Sequence, residues 1–212
     1  MTGSSFYGLE DFAKDVNVPR GTLEQLATYA ALLKKWQASI NLIGNATLPD
    51  VWQRHMLDSA QLIALAPVVI GRARVWVDLG SGAGFPGLVV AIITGDDVHL
   101  IEANAKKCAF LREVARATGA ANAVIHNCRI EDVKPWPVDV VTARAFAPLD
   151  KLMGYAAPFF GAQTVGLFLK GQHLDQELTE ATKYWNIEAD HLPSRSDDNG
   201  RILKVRSVKR GV

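Results

Sequence analysis

Apolar residues recur at helical spacing at the start of the chain. Leu9, Phe12, Ala13 and Val16 share one face, and beyond Pro19 so do Leu23, Leu26, Ala30, Leu33 and Trp36. Steps of three and four residues keep such positions on one side of a 3.6-residue period, which predicts two amphipathic helices. A third is predicted over residues 49–65, with Pro49 in its first turn, where a missing N–H does no harm. Residues 67–72 read as a connection. From residue 74 the pattern changes. Short apolar runs at 74–78, 98–102, 123–127, 138–143, 165–170 and 202–208 predict strands, with helices between them, most plainly at 104–118 and 173–184. This alternation predicts an α/β fold, a mostly parallel sheet with helices on both faces. The expected organisation is a helical extension over 1–70 and a sheet domain over 71–212.

In such sheets, ligands bind beyond the carboxyl ends of the strands. The first predicted strand runs into Asp78-Leu79-Gly80-Ser81-Gly82-Ala83-Gly84-Phe85-Pro86-Gly87. Glycines let a backbone turn tightly and approach a ligand. A helix predicted over 85–93 then offers its free N–H groups to whatever lies on the loop. Asp78 selects among ligands. A carboxylate repels a pyrophosphate but attracts an ammonium, such as the one on the methionine half of S-adenosylmethionine. Strand, Asp, then glycines at every second position is a common order in methyltransferases that use this cofactor. Two other readings stand beside it. Gly82, Gly84 and Gly87 also fit G-x-G-x-x-G with Glu102 about 20 residues on, the dinucleotide pattern. There the first glycine follows the strand directly, whereas here Asp78-Leu79-Gly80-Ser81 intervenes. The third reading is a turn without a ligand.

On the first reading, Asp78, Gly80, Gly82 and Gly84 form the cofactor loop. Glu102, at the end of the second strand, accepts hydrogen bonds from a ribose diol or caps the helix beginning near Asn104. Ile130 and Glu131 follow the third strand, where an adenine ring would lie. The fourth strand ends in Thr142-Ala143-Arg144-Ala145-Phe146-Ala147-Pro148-Leu149. The Asn/Asp-Pro-Pro-Tyr/Phe signature of amino-nitrogen methylation is missing there, and no cysteine stands by to form a covalent base adduct. Nucleophiles that need little help remain, such as guanine N7, whose lone pair lies in the ring plane with no proton to remove. Arg144 is then expected to orient base, phosphate or cofactor, or else to hold the loop by a salt bridge.

Composition adds limits. The 212 residues suffice for one domain with an appendage, and the net charge of +1 says little of partners. From Pro193 onward, Arg195, Arg201, Lys204, Arg206, Lys209 and Arg210 face only Asp197 and Asp198. This basic tail reads as a phosphate-contacting face or as a solvated terminal strand. Cys108 and Cys128 form neither a disulfide framework nor metal-ligand spacing, and no metal is expected. The absence of a long apolar run or a secretory pattern leads to the expectation of a cytoplasmic chain with no membrane association.

Further motifs resemble one family. Asn41-Leu42-Ile43, Arg54-His55-Met56-Leu57-Asp58-Ser59, the glycine loop through Gly87, Lys106-Lys107 with Phe110-Leu111, Arg144-Ala145-Phe146-Ala147-Pro148-Leu149 and Leu169-Lys170-Gly171 are similar, in order, to the bacterial small-subunit rRNA methyltransferase G family. The resemblance implies a class I, Rossmann-like methyltransferase fold and methylation of N7 of guanine 527 of 16S rRNA, in the small subunit or its precursor; a monomer is expected, though the sequence does not fix the oligomeric state. It implies cofactor contacts at Gly80, Phe85, Ile130, Glu131 and Arg144. Ala103, where relatives often carry serine, and the segment from Arg195 to Gly200 depart from the family pattern. By spacing alone, Arg54 and Asp58 read as an i, i+4 surface pair and His55 as a packed histidine. The resemblance turns them toward the cofactor cleft. Arg144, Lys170 and His55 are thus expected to serve the reaction, and Arg54, Lys170, Arg201, Lys204 and Arg206 to contact RNA.

Overall fold

The computed structural model describes residues 7–211. Two helices open it, α1 (Leu9–Val16) and α2 (Arg20–Gln37). The expected third helix is irregular. It runs as a π-helical stretch, Trp52–Leu57, one α turn, α3 (Asp58–Ala60), and a 3-10 stretch, Gln61–Leu65. Widened turns of this kind are rare and gather at functional sites. Seven strands follow: β1 (Val75–Leu79), β2 (Asp97–Ile101), β3 (Ala123–His126), β4 (Val140–Arg144), β5 (Val165–Lys170), β6 (Trp185–Pro193) and β7 (Arg201–Arg210). Between them lie α4 (Gly87–Thr94), α5 (Ala105–Thr118), α6 (Leu149–Ala156) and α7 (Leu174–Ala181).

The strands form one sheet in the order β3-β2-β1-β4-β5-β7-β6. All pairs from β3 to β5 are parallel, and β7 runs antiparallel to both β5 and β6. The reversal of order beside β1 opens a crevice above the carboxyl ends of β1 and β4. Side chains alternate across the strands. Trp76, Leu100, Val140 and Leu167 face a core shared with α4, α5 and the N-terminal helices, whereas Val77, Ile101, Val141 and Phe168 face a core shared with α6 and α7. Sandwiched between sheet and N-terminal helices, α4 has nearly every side chain buried, which accounts for its unbroken apolar sequence. No helix among the described residues is long and apolar enough to cross a membrane.

One strand was not expected from the sequence. As an edge strand, β6 buries little beyond Trp185 and carries Glu188 and Asp190, the charges with which edges resist further pairing. Its hairpin with β7 breaks up the basic tail expected to contact RNA. Because β7 is antiparallel, only Arg201 stands beside Lys170 at the site end of the sheet, and Lys204 is already opposite Leu167. Arg206 lies farther off and is paired with Glu188 and Asp190. Arg201 itself donates to the carbonyls of Asp198 and Gly200, at 2.9 and 2.7 Å.

Candidate active site

A cleft of about 640 Å³ opens at the carboxyl ends of β1, β2 and β4. Gly80, Ser81, Gly82, Ala83 and Phe85 line it, with Glu102, Ile130, Glu131 and Arg144. Gly80, Gly82 and Gly84 all have positive φ, at 67°, 57° and 92°, a backbone that disfavours side chains. Their surroundings differ. A Cβ on Gly82 would meet only the Gly80 carbonyl, 3.8 Å away, so the loop is open to the cleft there. A Cβ on Gly80 would lie inside the Phe146 ring, and one on Gly84 would strike Leu88, Leu111 and the Tyr29 hydroxyl. Thus Gly84 serves packing beneath the loop. Tyr29 supports the loop from below: its hydroxyl donates to the Ala83 carbonyl, and its ring stacks on Phe85 at 5.1 Å.

Asp78, expected to meet the cofactor's ammonium, instead lies below the loop, 1% exposed and off the cleft wall. Its carboxylate accepts from the Gly87 N–H at 3.3 Å and the Thr142 hydroxyl at 2.9 Å. It satisfies a free N–H at the start of α4 and fixes the strand-to-helix turn. Burial pushes Asp78 up to about 6, with hydrogen bonds from Thr142, Ser81 and Gly87 pulling the other way.

Glu102 joins loop to strand. One carboxylate oxygen accepts from the Gly82 N–H at 2.8 Å and the other from the Asn104 N–H at 2.7 Å. Asn104 caps α5, accepting from the N–H groups of Lys106 and Lys107. Each Glu102 oxygen keeps a lone pair for a diol. On the opposite wall the Tyr155 hydroxyl donates to Glu131 at 3.0 Å. The open glycine, the anchored carboxylate and the cleft volume of about 640 Å³ fit S-adenosylmethionine.

Arg144 closes the cleft beyond β4. Its guanidinium lies over the Phe85 ring, 5.2 Å from the centroid, and donates to the Arg54 carbonyl at 2.9 Å and to His55 Nδ1. A guanidinium only donates, so Nδ1 carries the lone pair and Nε2 the proton. Nε2–H in turn donates to the Thr47 hydroxyl at 2.9 Å, which donates to the Gly44 carbonyl at 2.8 Å. Burial above all, then Arg144 and Arg54, lowers His55 to about 3. The histidine is neutral and holds Arg144 in place. Burial also draws Arg144 below its ordinary value, opposed chiefly by Asp58, 3.6 Å away.

The π-helical stretch redistributes the polar residues of the third helix. The expected Arg54–Asp58 pair does not form. Arg54 reaches Asp197 in the β6–β7 loop instead. Asp58 Oδ1 accepts from Gln61, Ser194 and Ser196 at 2.9, 3.1 and 2.6 Å. Lys170, expected to meet phosphate, is 9% exposed at its side chain and pairs with Glu177 at 2.5 Å. Arg54, His55, Asp58, Arg144 and Lys170 do come together, around a second cavity beside the first. Sequence reasoning did not assign roles to Tyr29, Thr47, Phe146, Tyr155 or Glu177. Phe146 directly follows Ala145, whose φ is +48°. Strained backbone of this kind clusters at functional sites, but nothing in the sequence marked it.

The glycine loop over a switch-point crevice, on a seven-stranded sheet whose β7 runs antiparallel, sets the class together with the similarities that follow: a Rossmann-like methyltransferase. Solved structures share the fold. A SAM-dependent methyltransferase from Aquifex aeolicus matches with a TM-score of 0.57 at 11% identity over 74% of this chain and 92% of its own. A putative transferase from Pyrococcus horikoshii matches with a TM-score of 0.59 at 15% identity over 82% and 67%. The family model of rRNA small subunit methyltransferase G matches residues 22–198. Relatives called ribosomal RNA small subunit methyltransferase G are 54% identical in Parvibaculum lavamentivorans, over 94% of this chain and 89% of the relative, and 53% in Rhodospirillum rubrum, over 95% and 98%. The chain belongs to the rRNA small subunit methyltransferase G family.

Proposed function

We propose that the chain transfers the methyl group of S-adenosylmethionine to N7 of guanine 527 of 16S rRNA by direct in-line displacement. The observation that carries this reading is the wall between the two cavities. Its polar groups are Arg144, a donor only, and His55, whose one lone pair is already taken by Arg144. Asp58, the carboxylate that pairs with Arg144, is engaged by that arginine and three further donors. A wall without a free base suits a nucleophile that has a lone pair and no proton to lose. Guanine N7 is such a nucleophile.

Bound adenosylmethionine supplies an electrophilic methyl group on a sulfonium. The protein supplies alignment, which is worth much of the barrier when the reacting atoms are held in line. Gly82 and Glu102 seat the donor, while Arg144, fixed by His55 and stacked on Phe85, sets the boundary across which base and methyl meet. The N7 lone pair forms the new bond as the carbon–sulfur bond breaks, the electron pair stays on sulfur, and the base becomes cationic. Incubating small-subunit particles lacking the modification with protein and labelled cofactor, then mapping 7-methylguanine by chemical cleavage, tests the reading. Stoichiometric label at guanine 527 is expected. Label on a carbon or an exocyclic nitrogen would refute it.

A further inference from the structure

The second cavity encloses about 800 Å³ between the β4–α6 loop, the end of β5 and the β6–β7 loop, within the size range of small-ligand sites. His55, Arg144 and Phe146 line both cavities, so they separate it from the cofactor cleft. Lys170 and Glu177 line only the second cavity, away from the cleft.

Most charges around this cavity are mutually engaged. Arg54 pairs with Asp197, and Arg144 with Asp58. Glu177 is different. Its Oε2 accepts from the Leu149 N–H at 3.0 Å and from Lys170 at 2.5 Å, while Oε1 accepts from no group among the described residues. Lys170 has three N–H donors, of which one meets Glu177 and one faces the Ala147 carbonyl at 3.5 Å. The cavity therefore holds a carboxylate oxygen with open lone pairs beside an ammonium with a spare N–H. The Leu149 N–H and the Lys170 pair fix that carboxylate in place.

We infer that Glu177 and Lys170 read the Watson–Crick edge of the target guanine, an assignment that rests on the N7 reading above. Guanine offers two adjacent donors on that edge, N1–H and the 2-amino group, followed by the O6 acceptor. Glu177 Oε1 takes the donors and Lys170 gives to O6. Adenine sets an unprotonated N1 and no 2-amino group against the carboxylate, and is rejected. With the Watson–Crick edge held at the Glu177 end, N7, on the other side of the base, stays free to face the shared wall. The base must be unpaired and out of its stack to be held this way.

The test uses the full-length protein and small-subunit particles carrying guanosine or inosine, which lacks the 2-amino group, at the target position. In Glu177→Gln the Leu149 N–H holds the amide carbonyl, so the amide NH2 confronts the base donors. Guanosine kcat/KM is expected to fall about 10- to 100-fold, the size of a lost hydrogen bond to a charged group. Wild type should prefer guanosine to inosine by about 10-fold. Glu177→Gln should lose that preference, and Glu177→Asp, which keeps the carboxylate, should retain part of it. Cofactor affinity, measured in parallel, should stay near wild type in both variants, and thermal melting should show both folded at the assay temperature, though less stable because the Lys170 pair is weakened. Unchanged kcat/KM or an unchanged guanosine preference in Glu177→Gln overturns the assignment, as does an equal loss on both substrates. If wild type itself leaves guanosine N7 unmodified, the N7 reading falls and takes the assignment with it. If wild type methylates N7 and only the preference test fails, the N7 reading stands alone.

Discussion

At the scale of single residues, the loop glycines separate by what their missing side chains leave room for. Gly82→Ala puts a methyl group into the cleft, so it should fold, lose about 1–2 kcal/mol to the left-handed backbone, and bind adenosylmethionine about tenfold or more weakly. Gly84→Ala drives a Cβ to within 2.6 Å of Leu88 and 2.8 Å of the Tyr29 hydroxyl. It should cost a further increment of about 1–3 kcal/mol through overpacking. Thermal melting and calorimetric titration of the pair check both orders. His55 gives a pH signature. Its folded value near 3 lies below its ordinary 6.5, so between those values the unfolded chain binds the extra proton and stability falls as pH falls. His55→Gln should flatten the decline in denaturation midpoint between about pH 6.5 and 4. An unchanged slope would show that this histidine charges freely in the folded protein. Asp78 works in the opposite direction over about pH 4–6, because its carboxyl is raised and holds its proton more tightly when folded.

At the scale of elements, the third N-terminal helix departs most from regular geometry and carries the densest polar network. Asp58→Ala removes the acceptor shared by Gln61, Ser194 and Ser196 and the partner of Arg144. Breaking a half-buried charged network by one member costs about 3–5 kcal/mol, so chemical denaturation should show a loss of that order, with turnover falling further as Arg144 loosens. The parallel strands and their helices could be read in advance, because buried parallel strands are continuous apolar runs and α4 and α5 end at Gly95 and Gly119, each with positive φ. The π-helical turn could not. Trp52-Gln53-Arg54-His55-Met56-Leu57 has ordinary helical spacing, and the widened turn is held by tertiary bonds to residues 90 and 138 positions on. Edge strand β6 was hidden for another reason: it is exposed enough to be written in polar residues.

At the scale of the whole molecule, the basic tail illustrates how charge in sequence misleads about charge in space. Arg195 lies 3.8 Å from Asp15, and Arg206 is matched by two carboxylates across the hairpin. Neutralising both as Lys204→Gln and Arg206→Gln should therefore leave affinity for small-subunit RNA close to wild type, because Arg206 is already matched and Lys204 lies away from the site end of the sheet. It should also leave the salt dependence unaltered, where two true phosphate contacts would lower the slope by about two. A filter-binding titration across salt concentrations decides this. Of the residues expected at the cofactor, Gly80, Gly82, Phe85, Glu102, Ile130, Glu131 and Arg144 line the cleft because they follow strand ends, whereas Asp78 and Gly84 lie beneath the loop. Of the wall that separates the two cavities, the resemblance singled out His55 and Arg144 for roles, but not Gly44 or Phe146, nor the contact between His55 and Arg144 that the fold creates.

The loop after β6 closes the site by reaching back to the third helix through Ser194, Ser196 and Asp197. These residues stand near the end of the chain, while their partners Arg54 and Asp58 stand in its first third. Synthesis proceeds from the N-terminus, and early segments begin to fold first. A growing chain therefore has its glycine loop long before its second cavity, and Asp58 waits through most of translation for its serine partners. Formation of the β6–β7 hairpin is therefore the event that closes the second cavity against the third helix.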